Sequence, residues 1–440
     1  MGQPGVDAKP RSSSTRGLLV RRCVVLCACV AAHPAAAAAP AETFAIDYIV
    51  TVSQKNPGVV RVRWELSGSE EVSELRLRFS PDRLKQFQAS GTLEPIADGL
   101  RWHPDGPYGH LSYVAVVNHV RGQHHRYDSY AATDWIVTRA RDLFPRITVA
   151  CEPRKGGRPK SRARLIFRLP TGWQSAAALP SIGPHTYRLN EPGKMLDRPR
   201  GWFALGKFTL ARQEIADIMV QLARVPGSAL DTGGLFRFLA STLPSLKQLL
   251  LPQVDSVLLV SAPDPLWHGG ISGANSLFIH GDRPLRTPDK TSPYLHELFH
   301  VLQPYKPAAD ADWIEEGLAE FYSLELQRRA GLINDAAHTR ALAYFERFGL
   351  WNVDLTRQQD NAATNNSAPL VMYAIDQHIQ HATNGKKRLD DVVMRLAEAG
   401  GSVDTARFQR TVESVSGKRF TKFFDRHVLH GVPPSRSPAS

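Results

Sequence analysis

One pentapeptide in the sequence combines residue types that can bind a metal ion and move a proton: His296-Glu297-Leu298-Phe299-His300. On a helix, residues four apart share a face, so both imidazoles can reach one ion while Glu297 lies beside its open coordination position. Two neutral imidazoles, one carboxylate and a water molecule are the donors that catalytic zinc prefers. The motif therefore predicts one Zn²⁺ per chain, with Glu297 as the general base of a hydrolytic reaction.

The residues around this motif favour a buried helix over a chance match on an exposed one. Pro293 lies where a first helical turn is expected, and Leu295 and Leu302 extend the apolar surface. Polar groups in a buried helix need partners, and a metal ion supplies one for His296 and His300.

A third ligand is expected on the next helix, in the segment 313–322 (WIEEGLAEFY). Glu316 and Glu320 are one turn apart and face the same way. One of them can bind the metal while the other accepts the free N–H of a ligating histidine. Glu315 points about 100° away from that face, and we expect it at the surface.

The Trp-x-x-Glu-Gly pattern after His-Glu-x-x-His resembles the gluzincin zinc metallopeptidases, which include aminopeptidase N and the bacterial glycyl aminopeptidases. In these enzymes the Glu before Gly is the third zinc ligand. The resemblance therefore implies Glu316 as a ligand and Glu320 as the hydrogen-bond partner of a ligating histidine. It extends over most of residues 42–432, and its matches away from the zinc motifs are 164–173, 196–203 and 389–431.

The sequence differs from that family's pattern at position 272. The glycyl aminopeptidases carry a Gly-Gly-Leu-Glu-His motif on the strand at the edge of the cleft, and its Glu helps to hold the free amino terminus of the substrate. The matching stretch, 269–276 (GGISGANS), has Ser272 instead. A hydroxyl cannot neutralise a buried ammonium group, so the basis for preferring free amino termini is missing. We expect Ser272 and Asn275 to flank the substrate backbone.

A second departure concerns the oxyanion. The family's Tyr-x-Lys-Gly motif, whose hydroxyl stabilises the tetrahedral oxyanion, is replaced here by the stretch 365–368 (NNSA). The expected substitutes are the Asn365 amide, the Tyr373 hydroxyl or the His378 ring. Loss of one oxyanion donor costs roughly 10²–10³-fold in rate, which is compatible with slow turnover or with a narrow substrate range.

The hydrophobic pattern changes along the chain and predicts the elements that position these residues. Alternating apolar residues over 42–210 are typical of half-buried strands. After residue 210, helical spacing appears at 212–223 and 234–251, followed by one strand at 255–260. Further helices are expected at 292–303, 311–330, 335–348, 368–381, 389–399 and 404–425.

The predicted fold is a multidomain α+β protein. An N-terminal antiparallel β-sandwich precedes a thermolysin-like α/β catalytic domain and a helical C-terminal part. The expected boundaries are 1–40 for a signal peptide, 41–210 for the sandwich, 211–348 for the zinc peptidase domain and 349–440 for the helical region.

The first forty residues read as a secretory signal. A charged region containing Arg21 and Arg22 precedes the short apolar run 23–32, and the alanine-rich stretch 35–39 offers cleavage sites. The predicted location is periplasmic or secreted, and a lipoprotein is the less favoured alternative. Removal of this segment leaves Cys151 as the only cysteine, which excludes an intramolecular disulfide.

The charge balance limits the partners. The 440 residues carry a formal charge of +12, and the first forty hold five basic residues and one acidic residue, so the remainder carries about +8. This modest excess does not indicate a nucleic-acid partner. The basic hairpin 154–164 is interpreted as a solvated loop, with weak contact to an anionic envelope surface as the alternative.

These patterns predict an exported zinc-dependent metallopeptidase that acts on peptides or proteins. One alternative is a catalytically impaired, zinc-bearing envelope binding protein, which the two departures suggest together. The other is an envelope interaction protein that uses the sandwich and the basic hairpin. The intact Glu297 favours the enzyme over both alternatives, because a structural zinc site does not require that residue.

Overall fold

The computed structural model describes residues 42–70, 72–122, 126–151, 160–191, 194–359 and 362–435. The predicted signal peptide and the loop 152–159 of the basic hairpin lie outside these ranges. Within the described ranges, no helix combines the length and the apolar character that crossing a membrane requires.

The N-terminal part consists of strands, as the alternating pattern predicts. In the strand over 59–67, for example, Val60, Val62 and Trp64 are buried while Arg61 and Glu65 are exposed. The strands are β1 (Glu42–Thr51), β2 (Val59–Ser67), β3 (Val72–Arg78), β4 (Leu84–Ala89), β5 (Thr92–Ile96), β6 (Gly99–His103), β7 (His110–Val116), β8 (His119–Arg121), β9 (Arg126–Ala131), β10 (Trp135–Arg139), β11 (Arg146–Cys151), β12 (Lys160–Arg168), β13 (Gln174–Ala177), β14 (Ser181–Gly183), β15 (Thr186–Leu189) and β16 (Trp202–Gly206). The short helix α1 (Ala140–Leu143) follows β10.

These strands form three sheets around one apolar core. The largest has the order β14-β15-β12-β1-β2-β7-β4, and the others are β13-β16-β10-β9-β8 and β11-β3-β6-β5. The ring of Trp64 packs edge-on against those of Tyr48 and Tyr113, with centroids 5.2 Å and 6.1 Å away. All strand pairs in these sheets are antiparallel except β1 with β12. The predicted sandwich is confirmed, with this parallel pair as an addition.

A second five-stranded sheet follows and packs against the helix that contains the motif 296–300. Its order is β17-β18-β19-β21-β20. The strands are β17 (Thr209–Ile215), β18 (Ile218–Arg224), β19 (Ser256–Ala262), β20 (Gly270–Gly273) and β21 (Ser276–His280).

The helix predicted over 212–223 is wrong, because this segment forms the hairpin of β17 and β18. The buried side chains of Ile218 and Val220 alternate with partly exposed ones, which is a strand period. The turn places Ala216 and Asp217 at positive φ, the backbone of a tight hairpin turn. Such turns usually contain Asn-Gly or Asp-Gly, and the unusual turn residues hid the hairpin from sequence reasoning.

The other predicted helices are present, but the one predicted over 404–425 is interrupted after Ser416, where Gly417 adopts a φ of 68°, and a short helix begins again at Thr421. The helices are α2 (Thr232–Leu250), α3 (Pro293–Leu302), α4 (Asp312–Arg329), α5 (Asp335–Phe348), α6 (Ala368–Ala382), α7 (Leu389–Ala399), α8 (Thr405–Ser416) and α9 (Thr421–Phe424). Two π-helical turns, Ala363–Ser367 and Asp425–Leu429, precede α6 and follow α9. A small parallel pair, β22 (Tyr305–Pro307) and β23 (Gly401–Val403), links the region after α3 to the C-terminal helices.

The sheet β17-β18-β19-β21-β20 is covered on both faces. Leu277 and Ile279 of β21 belong to the core that includes α2, α3 and α4. Phe278, between them, belongs to an apolar cluster with Trp202 and Ala204 of β16. The N-terminal sheets therefore support one face of this sheet while the metal-motif helices cover the other.

Candidate metal centre

Helix α3 presents both histidines of the motif on one face. Ser292 caps the helix by accepting a hydrogen bond from the Leu295 N–H, and Pro293 occupies the first turn. The side chains of Leu295, Leu298 and Phe299 are buried in the core. Because these apolar residues fix the rotation of the helix, the imidazoles of the motif must turn toward α4.

Three side chains converge where α3 meets α4. The Nε2 atoms of His296 and His300 are 3.1 Å apart. The Glu316 carboxylate lies 3.2 Å from Nε2 of His296 and 3.5 Å from Nε2 of His300. Donors that lie about 2.0–2.1 Å from a tetrahedral ion are separated from one another by about 3.3–3.4 Å. The three donors therefore have the spacing of ligands around one small ion.

Each imidazole also contacts a carboxylate through its other nitrogen. The Nδ1–H of His296 donates to Glu320 at 2.8 Å, and the Nδ1–H of His300 donates to Glu315 at 3.3 Å. Such contacts orient a ligating histidine and keep Nε2 free for the metal.

The expectation that Glu315 lies at the surface is wrong. Its carboxylate reaches back across the helix junction to His300, and it also accepts a hydrogen bond from the Gln303 side chain. Glu315 lies in the first turn of α4, directly beside the end of α3, so the placement of the two helices decides its role. That placement is a tertiary feature, which local helical periodicity does not contain.

The electrostatics of this cluster fit a divalent cation. Four carboxylates, those of Glu297, Glu315, Glu316 and Glu320, surround two imidazoles. Burial lowers the pKa of His300, but the Glu316 and Glu315 carboxylates outweigh it and raise that pKa to about 9. Such a cluster of negative charge in a largely buried place requires a positive counter-charge. Imidazole and carboxylate donors with these distances suit Zn²⁺.

Glu297 is not one of the three converging donors and packs instead against the edge strand β20. Its pKa is raised by burial, although the charges of His296 and His300 and a hydrogen bond from the Ser272 backbone lower it in part. A Cβ atom at Gly270 would lie 2.6 Å from both Cγ and Oε1 of Glu297. Gly270 therefore leaves the room that this carboxylate occupies, and sequence reasoning did not single it out.

The N-terminal sheets hold the edge strand in place. Trp202 of β16 donates from Nε1 to the Ile271 carbonyl at 3.0 Å and from its backbone N–H to Ser276 Oγ at 2.9 Å. Asn275 occupies the turn between β20 and β21 at a φ of 50°, and its carbonyl accepts the Leu258 N–H at 3.0 Å. Asn275 therefore has a turn-forming role beside its position at the cleft.

A cleft of about 1,100 Å³ begins at this edge strand. Ser272 and Asn275 line it, together with His300 and Glu315. The two residues that were expected to flank a substrate backbone thus border the same cleft as one of the converging histidines.

The expected oxyanion donors lie in different places. Asn365 is in the π-helical turn Ala363–Ser367, which packs against α4, the helix that carries Glu316. The Tyr373 ring instead lies 6.1 Å from the His338 ring, near the opposite end of α4. His378 packs its ring against Phe423, 5.1 Å away. The turn that carries Asn365 and the helix α6 that carries Tyr373 and His378 both pack against α4.

No family model matches the chain, and no curated protein matches it in sequence. Solved structures do match. An aminopeptidase N family protein from Idiomarina loihiensis superposes with a TM-score of 0.70 at 15% identity, over 89% of this chain and 77% of that one. A mutant M1 zinc metallopeptidase from Deinococcus radiodurans, bound to a Tyr-Ser-Ala substrate, superposes with a TM-score of 0.59 at 13% identity. That match covers 90% of this chain and 96% of the other.

A third match is Legionella pneumophila aminopeptidase A in complex with aspartic acid, with a TM-score of 0.55 at 13% identity over 89% of this chain and 50% of that one. At these identities the comparisons define the fold. The chain has an aminopeptidase N-like fold, and the fold prediction from the sequence is confirmed.

Proposed function

We propose that this protein is a zinc-dependent metallopeptidase. The observation that carries the proposal is the convergence of His296, His300 and Glu316 within 3.5 Å of one another, with Glu297 beside them at the edge of the cleft. The fold supports it, since the structural neighbours include M1 zinc metallopeptidases.

His296, His300 and Glu316 would hold the zinc ion, and Glu320 and Glu315 would orient the two imidazoles. A zinc ion at such a site acts as a Lewis acid and lowers the pKa of water to about 7. Glu297 takes a proton from the attacking water and delivers it to the leaving amine. Burial raises the pKa of this carboxyl, which moves it toward the range of an effective general base.

The edge strand β20 carries the residue that bears on the preference for free amino termini. Ser272 lies on β20 beside the cleft, at the position where the glycyl aminopeptidases carry an acid. Without that acid the chain has lost one electrostatic anchor for a free amino terminus. We therefore favour endopeptidase or atypical exopeptidase activity on peptides and proteins.

The proposed location is the periplasm or the extracellular space after removal of residues 1–40. The charged and apolar regions of that segment support export. Contact of the basic hairpin with an anionic surface remains the weaker proposal. Of its described residues, Lys160 forms an ion pair with Asp197 and Arg164 forms one with Asp47, which leaves fewer free charges for a partner.

The second candidate is a zinc-bearing binding protein with impaired turnover. Two features favour it: Ser272 replaces the amino-anchoring acid, and the stretch 365–368 replaces the motif whose tyrosine supplies an oxyanion donor in the family. Asn365 would then be the expected source of an oxyanion donor, and its contribution decides how fast the enzyme turns over.

The test is digestion of a diverse peptide mixture by the zinc-loaded protein, read by mass spectrometry. Half of the peptides carry acetylated amino termini. Cleavage that disappears with chelator and returns with zinc supports the peptidase, and internal cuts in acetylated peptides support endopeptidase activity. Zinc binding without any cleavage would favour the binding protein instead.

A further inference from the structure

Three side chains of types that can bind a metal lie together on the face of the sheet β17-β18-β19-β21-β20 that points away from α3. This cluster consists of Asp264 and His268, in the loop 263–269 between β19 and β20, and His280 at the end of β21. One ligand atom from each of the three lies within 4.8 Å of the other two. His280 follows Phe278 by two residues and shares its side of β21, which faces the N-terminal sheets.

The distances within this cluster match a metal site. His268 Nε2 is 2.8 Å and His280 Nε2 is 3.7 Å from the same oxygen, Oδ1 of Asp264. These values lie on either side of the separation of about 3.3 Å that ligands around a tetrahedral ion adopt. The two imidazole rings have centroids 4.0 Å apart and are tilted by 35° relative to each other.

His280 gives an independent indication of a ligand. Its side chain is 1% exposed, and its Nε2 has no hydrogen-bond partner within the described part of the chain. A buried polar atom without a partner costs about 1–3 kcal/mol, and such atoms are rare in folded proteins. This one points at the Asp264 carboxylate, where a metal ion would satisfy it.

We propose that Asp264, His268 and His280 form a second metal site, which takes a divalent first-row transition ion, with Zn²⁺ as the probe. Two imidazoles and one carboxylate are the donors such ions prefer. The site is separate from His296 and Glu316, so the proposal does not depend on the peptidase function.

The second ring nitrogen of His280 also has a defined environment. In this structure Nδ1 of His280 accepts the Asp282 N–H at 3.3 Å and lies 3.9 Å from the Asp282 carboxylate. Metal binding through Nε2 would place the ring proton on Nδ1, where the Asp282 carboxylate would replace the backbone N–H as its partner.

Arg126 competes for the same carboxylate. Its guanidinium forms an ion pair with Oδ1 of Asp264. A carboxylate has two oxygens and about four acceptor positions, so Asp264 can keep Arg126 and still bind a metal. The Tyr127 N–H donates to the Pro265 carbonyl at 3.0 Å, so the loop already contacts β9. A metal ion would fasten this loop to β21 just before the strand that packs against Glu297.

The experiment is zinc titration of the full chain after complete metal removal, in competition with a chromophoric chelator, with bound zinc counted by elemental analysis. The wild type is expected to bind two equivalents. His268→Ala and Asp264→Asn should each bind one, with affinity at the second site reduced by about 100-fold or more, since loss of an outer partner alone costs about 10–100-fold. His296→Ala should also bind one, and the double variant with His268→Ala should bind none.

The matched control is His430→Ala. His430 is an exposed histidine, with its Nδ1 3.6 Å from Asp425, and it belongs to no three-residue cluster among the described residues. His268 is also exposed, so its replacement should leave the metal-free unfolding midpoint unchanged. One equivalent in the wild type would overturn the proposal, and so would two equivalents in both His268→Ala and Asp264→Asn.

Discussion

Gly270→Ala should slow peptide cleavage by about 100-fold without lowering the zinc content. Gly270 lies on the edge strand, and its backbone φ is not in the left-handed region, so alanine is compatible with the conformation. The added methyl group would lie 2.6 Å from Cγ and Oε1 of Glu297 and 2.8 Å from Cδ. Contacts below 3.0 Å are essentially never found for real Cβ atoms. The Glu297 carboxylate or the strand must therefore move.

The size of the effect follows from these distances. Ordinary contact begins at 3.4 Å, so Glu297 must retreat by about 0.8 Å. A displacement of about 1 Å in a catalytic group costs about 100-fold in rate, which corresponds to about 2.7 kcal/mol in the activation barrier. Zinc content should stay at the wild-type level, because Glu297 is not among the three donors that converge on the metal.

The assay measures kcat and KM for a cleaved peptide, together with zinc content and the unfolding midpoint. Gly183→Ala is the matched control. Gly183 is also a strand glycine that lines the cleft, and a Cβ atom there would meet only the Thr186 Cβ at 3.8 Å. Its rate should stay within about twofold of the wild type, since no atom has to move.

A double variant distinguishes this explanation from a general loss of structure. If the added methyl group acts through Glu297, combining Gly270→Ala with Glu297→Gln should give a rate no lower than Glu297→Gln alone. A Gly270→Ala protein with wild-type kcat would refute the reasoning. Loss of zinc together with activity would refute it as well.

Three further predictions concern other parts of the molecule. Glu320→Gln and Glu315→Gln should each weaken zinc binding by about 10–100-fold, measured by chelator competition, because each removes the charged partner of a ligating histidine. Ser272→Glu should favour free over acetylated peptide termini by roughly tenfold, about 1.4 kcal/mol, in competitive digestion. Asp142→Asn should cost about 2 kcal/mol at pH 7, measured by denaturant unfolding, because it removes the buried charge that both Arg139 and Arg83 contact, although Arg139 keeps its ion pair with Asp128.

The stability that Asp142 contributes should change with pH in a definite direction. Burial raises the pKa of Asp142, but Arg139 and then Arg83 outweigh it, so the pKa is below its ordinary value. The stability that Asp142 contributes is therefore present above pH of about 4 and is lost as the pH falls through its folded pKa. The deficit of Asp142→Asn should narrow in that range, and a constant deficit down to pH 3 would contradict the assignment.

Controls for the other two predictions use exposed or distant residues. Glu398→Gln, on the exposed side of α7, should bind zinc as the wild type does. Ser181 also lines the cleft but lies on β14, away from β20 in sequence and in sheet, and Ser181→Glu should leave the ratio of free to acetylated substrates unchanged. An equal shift in the Ser181 variant would show that any added charge in the cleft produces the effect.

Much of the fold was predictable because local patterns and tertiary packing agree. The apolar spacing around His296 predicts a helix over 292–303, and the structure has one at Pro293–Leu302. Alternation likewise predicts the strands of the sandwich. The sequence pattern did not predict the hairpin of β17 and β18, because Ala216 and Asp217 form a turn that normally contains glycine or asparagine.

The site was predictable only where its residues share a helix. The pair His296 and His300, and the pair Glu316 and Glu320, follow from helical periodicity. The contacts of Glu315 and Gly270 depend on how α4 and β20 pack against α3, which periodicity does not contain. The cluster around His280 also joins a loop to a strand end, so no local pattern identified it.

The most direct test of the account compares wild type with Glu297→Gln on one peptide mixture, at equal zinc content. The substitution keeps the shape of the side chain and removes its ability to accept a proton. We expect the wild type to cleave and Glu297→Gln, although fully loaded with zinc, not to cleave. Equal cleavage by both proteins, or zinc binding by both with no cleavage by either, would contradict this expectation.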